Sequence, residues 1–143
     1  MPFGRSPSYL SVCLIAAASL SAVAGDDLGS VLDGGGKKLS ADEFKSEIVG
    51  KNVGGQGNNG PWRREHRADG ALGGSVTGRG GSPLSMNGNW TVDDAGKVCV
   101  KYTYGPRKLE EAFCTFYFKQ GDQYFASRSD TDRSHKVVPV QVQ

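Results

Sequence analysis

The sequence predicts a mainly β protein: a short N-terminal helix followed by an antiparallel meander of six or seven strands, curled into a sheet or a small, partly open barrel. Three observations carry this. Apolar and aromatic residues alternate with polar ones in short runs from Trp62 onward, turn signals such as Asp69-Gly70 and Gly105-Pro106 separate the runs, and the tail "KVVPVQVQ" alternates Val138, Val140 and Val142. Pro139 within that tail implies an edge position, since proline cannot donate to a strand ladder.

The N-terminus reads as a targeting segment. Arg5 supplies a positive charge, Tyr9 to Val23 is apolar or small, and Ala22-Val23-Ala24 fits a small-x-small cleavage pattern. Residues 1–24 are therefore expected to be a secretory signal peptide cut after Ala24. The run is short and rich in Ala and Ser for a membrane anchor, so no transmembrane span is expected after cleavage. Leu10-Ser11-Val12-Cys13 fits a lipidation signal poorly, and Cys13 is expected to leave with the signal. An exported chain, periplasmic or extracellular, follows.

Cleavage leaves 119 of the 143 residues, enough for one domain, and removes a single charged residue, Arg5, so the net charge falls from +2 to +1. That balance argues against a nucleic-acid partner, because phosphate binding favours a basic excess. Residues 25–38, rich in Gly, Asp and Lys, read as a flexible leader, and residues 39–143 as one β-rich domain. Ser40 and Glu43 form a capping box for a helix over Ala41 to Val49 that Gly50 closes, with Phe44 and Ile48 as its apolar stripe. "KNVGGQGNNGPW" has no phosphate-loop spacing and reads as a mobile loop.

Strands are then expected at 62–67, 71–77, 89–92, 97–104, 112–119 and 124–127, with "GRGGSPLSMNG" a loop. The two cysteines left after cleavage, Cys99 and Cys114, lie on neighbouring strands. A hairpin symmetric about residues 106 and 107 sets them opposite each other, and an even pair in an oxidising compartment favours a structural disulfide. It closes a loop of 14 intervening residues, a constraint of about 3 kcal/mol in the loop-entropy model. Strand-like surroundings do not suit a redox pair, and with His66 and His135 the only imidazoles no metal site is expected. Nothing calls for a cofactor.

Chemistry-bearing residues are few. In "RREHR", alternation puts Trp62, Arg64 and His66 on one face and Arg63, Glu65 and Arg67 on the other. The first set supplies the ligand-binding candidates: clustered arginines suit an anion or a substrate carboxylate, with His66 as an acid or base, and the competing reading is a solvated, internally paired strand face. "SDTDRSH" brings Asp130, Asp132 and His135 into one polar segment. It lacks the spacing of a calcium loop or a zinc hydrolase and reads more simply as a surface turn. Trp90 reads as a core anchor.

"LSADEFKSEIVGK", the glycine-rich stretch, "GNWTVDDAGKVC", the second cysteine and "FKQGDQYF" together resemble a family of small exported bacterial domains of unknown function, over residues 39–127. The resemblance implies compartment and architecture and brings no catalytic residues. Gly88-Asn89-Trp90 also matches the Gly-x-Trp element of lipocalins. In that family the element lies near the start of an eight-stranded barrel, and the 53 residues after Trp90 are too few for that arrangement. The expected function is a secreted or periplasmic non-enzymatic module that binds a small ligand, an envelope component or a protein partner. The alternative is a small exported hydrolase using His66 or His135 with Asp130 or Asp132.

Overall fold

The structure, a computed structural model, describes residues 26–143; the expected signal peptide lies outside the described residues. In chain order the elements are α1 (Leu28–Asp33), β1 (Lys37–Lys38), α2 (Ala41–Glu47), β2 (Asn52–Gly57), β3 (Gly60–His66), β4 (Ala71–Thr77), β5 (Pro83–Val92), β6 (Lys97–Tyr104), β7 (Leu109–Gln120), β8 (Gln123–Ser127) and β9 (Val138–Val142). Each strand from β2 to β9 pairs antiparallel with the next, and β9 returns to pair with β2. The meander is therefore an eight-stranded closed barrel, with no free sheet edge around its wall.

The fold class is as expected; the barrel has one strand more than the upper expected count of seven, and the short β1 adds another outside it. The missing strand is β2, which occupies the glycine-rich stretch expected to be a loop. Gly54, Gly55 and Gly57 carry no side chains to show alternation, yet they pair with Arg63, Trp62 and Gly60 respectively across a hairpin. Glycine is required at 55, because a Cβ there would lie 2.7 Å from the Trp62 indole ring. Similarly β5 begins at Pro83, inside the second expected loop. There Gly88 lets β5 press on β6, since its Cβ would come within 2.0 Å of the Lys101 carbonyl oxygen. Trp90 thus lies on the fourth strand of the barrel, which is why 53 residues after it suffice for closure.

Residues 28–38, expected to belong to a flexible leader, are ordered structure. Asp27 caps α1 by accepting from the Ser30 amide at 2.7 Å. Leu28 and Val31 are fully buried against Phe116, Phe118, Phe125 and Val137 on the outside of the barrel. Three apolar residues in α1 are too few to announce an amphipathic helix, but β7 and β8 turn a complementary apolar face outward to receive them. Lys37 and Lys38 add a short rung to β7.

Inside the barrel, Val53, Leu72, Met86, Trp90, Val98, Val100, Tyr117 and Val140 form the main core. α2 closes one end. Its capping box forms as the Ser40/Glu43 spacing predicts, with Ser40 Oγ accepting from the Glu43 amide at 3.1 Å and Glu43 Oε2 from the Ser40 amide at 2.7 Å. Phe44 points into the barrel against His66, Trp90 and Tyr117. Glu47 anchors the helix to the rim by accepting from Lys119 Nζ at 2.9 Å and the Tyr124 hydroxyl at 2.6 Å. These two bonds, Lys119 first, hold the Glu47 carboxyl below its usual range. Trp90 is buried, with its indole N–H donating to the Arg67 carbonyl at 2.8 Å.

The β6–β7 hairpin has the register the sequence predicts: Lys97 faces Phe116, Cys99 faces Cys114 and Tyr104 faces Leu109. Cys99 and Cys114 form a disulfide on the outer face of the barrel. Replacing both by serine removes a constraint without disturbing the interior, and is expected to lower stability by about 2–3 kcal/mol. The denaturant midpoint of the double variant checks it; an unchanged midpoint would show the bridge to be dispensable. The edge position expected from Pro139 is not what forms, since β9 lies between β8 and β2, yet the proline is spared a ladder partner on one side. It pairs with Phe125 of β8, whereas β2 pairs only with Gln141 and Val142, so one side of Pro139 faces no strand.

Candidate functional site

The end of the barrel opposite α2 is open. Strand alternation turns Trp62 and Arg64 of β3, Phe113, Thr115 and Tyr117 of β7, and Ala126 of β8 toward a cavity of about 190 Å³ at this mouth. Gln56 and Val138 complete its wall. Arg128 and Lys136 join from the two ends of the β8–β9 connection.

Arg64 is the central group. It is 8% exposed, and its guanidinium carbon lies 4.2 Å from the Trp62 ring centroid, 4.9 Å from that of Phe113 and 5.9 Å from that of Tyr102. Arg128 packs on the same Phe113 ring at 3.9 Å. Such stacking offsets part of the cost of removing a guanidinium from water. It does not satisfy the N–H groups, and Arg64 Nε, buried, has no hydrogen-bond partner among the described residues.

The cations at the mouth have no partner in an ion pair. Among the described residues neither Arg64, Arg128 nor Lys136 forms a salt bridge, the four ion pairs being Lys38–Asp130, Arg67–Glu65, Lys119–Glu47 and Arg133–Asp33. Glu111, opposite Tyr102 on β7, accepts from the Tyr102 hydroxyl. Burial raises the Tyr102 phenol well above its ordinary pKa and the Glu111 bond adds to the shift, so Tyr102 stays a neutral phenol. Thr115 is likewise committed, its hydroxyl donating to the Ser127 carbonyl at 2.9 Å.

α1 contributes to this site at a distance. The Leu28 amide donates to the His135 carbonyl at 2.9 Å and the Gly29 amide to that of Arg133 at 2.8 Å, while Arg133 Nη2 reaches Asp33 at 2.5 Å. α1 thereby ties down the β8–β9 connection and with it Arg128 and Lys136.

His66 shares the inward face with Trp62 and Arg64 but not the cavity. It is 0% exposed, with ring centroids of Phe44, Trp90 and Tyr117 at 5.3, 5.7 and 6.4 Å, and neither ring nitrogen has a hydrogen-bond partner among the described residues. Burial first, and the Arg64 charge second, depress its pKa to about 4, so at neutral pH it is an uncharged imidazole within the core. Asp130 pairs with Lys38 at 2.7 Å, and Asp132 accepts from the Ser134 amide and hydroxyl at 3.0 and 2.7 Å. Asp130, Asp132 and His135 thus belong to the β8–β9 connection, while the contacts of His66 are with aromatic rings inside the barrel. No group of three metal-ligating side chains occurs among the described residues.

Phe113, Tyr117, Arg128 and Lys136 are lining residues that sequence reasoning passes over. Phe113 and Tyr117 read as ordinary strand aromatics, and the two cations flank a polar stretch. Only closure of the barrel brings residues 113, 128 and 136 to Arg64. A shallower hollow of about 390 Å³ lies on the outer face around Thr91, Cys99, Lys101, Ala112 and Cys114. It offers mostly apolar strand surface, and the mouth is the stronger candidate because aromatic walls and unpaired cations converge there. Among the described residues no helix is long and apolar enough to cross a membrane. Comparison with protein-family models, curated proteins and solved structures finds no match.

Proposed function

We propose that the protein is an exported, non-enzymatic binding module that takes a small ligand into the open mouth of its barrel. The observation that carries this reading is Arg64: a buried cation with an unpartnered Nε, stacked on Trp62 and Phe113 and lining a cavity. Burying a charge without a counter-charge is costly, and an anion bound beside the guanidinium offsets that cost and gains affinity. Export is supported by the N-terminal charge, apolar run and small-residue cleavage pattern, and by a disulfide that suits an oxidising compartment. Trp62 and Arg64 are the binding residues of this reading. His66 supports the floor from below.

Native mass spectrometry of protein purified gently from its producing cells tests both parts. The expected result is a chain beginning at Gly25 that carries a reproducible small-molecule adduct, and loss of that adduct in the Arg64→Met variant. A bare wild-type chain under conditions that retain weak complexes would sink the ligand reading, and an uncleaved N-terminus would sink export.

A further inference from the structure

The mouth specifies its ligand by charge and shape. We infer that the ligand is a small organic carboxylate with an apolar body, its carboxylate held by the edge of the Arg64 guanidinium and its body lodged among the aromatic side chains. This rests on the small-ligand reading above and narrows it.

Three features select the class. First, the cations Arg64, Arg128 and Lys136 meet there with no salt bridge to a carboxylate among the described residues, which favours an anion and repels a cation. Second, the rings of Trp62 and Phe113 lie 4.2 and 4.9 Å from the guanidinium carbon of Arg64. Contacts to ring faces leave the N–H groups at the guanidinium edge to reach an oxyanion, and a fork of parallel N–H donors matches the two oxygens of a carboxylate. Third, Trp62, Phe113, Tyr117, Ala126 and Val138 give the wall an apolar part beside its polar groups, which the apolar body of the ligand covers. At about 190 Å³ the cavity is below the roughly 300–1,000 Å³ of sites for drug-sized molecules.

A phosphate fits less well. Phosphate sites commonly draw on backbone amides at a loop or a helix N-terminus, whereas this cavity is walled by side chains of strands whose amides serve the barrel ladders. Lys136 and Arg128 then steer the anion inward and neutralise a second negative charge where the ligand has one.

The test is an amide NMR titration of the purified protein with three probes: benzoate, its uncharged counterpart benzamide, and inorganic phosphate. Benzoate is expected to shift resonances of residues 62–64, 113–117 and 126–128, and to bind at least tenfold more tightly than either other probe. Arg64→Lys, which keeps the charge and loses the fork, is expected to weaken benzoate at least tenfold while an unchanged amide spectrum away from the mouth reports an intact fold. Arg128→Gln, at the rim, is expected to weaken it less and to reduce its salt dependence. Equal binding of benzamide, tighter binding of phosphate, full affinity in Arg64→Lys, or no response at the mouth would each overturn the carboxylate inference. The small-ligand reading stands or falls separately, on the adduct seen by native mass spectrometry.

Discussion

Truncating Phe44 to alanine is expected to destabilise the protein by about 3–5 kcal/mol, the cost typical of removing a buried aromatic side chain. Phe44 is 1% exposed. Its ring lies 5.2 Å from that of Tyr117, 5.3 Å from that of His66 and 5.6 Å from that of Trp90, and it is the buried residue of a helix only seven residues long. A helix this short has little stability of its own and persists because its apolar face is packed. Loss of the ring therefore leaves a cavity and also releases α2 from the barrel end. With a urea dependence of about 1–3 kcal/mol per molar for a small domain, the midpoint falls by a molar or more. Phe44→Leu retains much of the packing and is expected to cost roughly 1.5 kcal/mol or less. Equal, small losses in both variants would mean that α2 is a passive lid.

This helix was the most legible element of the chain, because its signals are local: Ser40 and Glu43 specify the cap whatever the rest of the protein does. The β6–β7 hairpin was legible for the same reason, its register following from the turn position alone. What escaped sequence reasoning depends on partners distant in the chain. β2 is written in glycines whose conformation is chosen by Trp62 packing over Gly55. α1 is written in three apolar residues whose burial depends on Phe116, Phe118 and Phe125 facing outward from a barrel.

The candidate site divides along the same line. Trp62, Arg64 and His66 were placed on one face by alternation, and all three do point inward. The step from face to site needed closure of the barrel. Closure sets Arg64 and Arg128 against Phe113 from β7 and separates His66, one pair of residues further along β3, into the sealed interior. Two residues with the same pattern in sequence thus differ in role because α2 closes one end of the barrel and nothing among the described residues closes the other. Arg64 faces the mouth, where a ligand can compensate its burial. His66 faces the plug, among the rings of Phe44, Trp90 and Tyr117.

That position makes His66 the source of an acid sensitivity. Its folded pKa is about 4 against an ordinary 6.5, so between these values the unfolded chain binds a proton that the folded one refuses. Stability contributed by the neutral imidazole is complete above pH 6.5 and lost as pH falls toward 4, for a total of about 3 kcal/mol. The carboxylates act lower down. Glu47, whose pKa is lowered from 4.5, and Asp27 and Asp132, lowered from 3.8, contribute stability that is present above those ordinary values and lost below them. The interval from pH 6.5 to 4.5 is therefore expected to belong to the buried His66. Replacing His66 by leucine removes two ring nitrogens that have no partners among the described residues, so the variant is expected to match or exceed the wild type near pH 7 and to have a nearly flat stability profile down to pH 4.5. Urea midpoints measured at half-unit steps of pH decide it. A wild-type slope that survives in His66→Leu would place the titrating group elsewhere, and a large loss of stability at pH 7 would mean that the imidazole makes a hydrogen bond essential to the core.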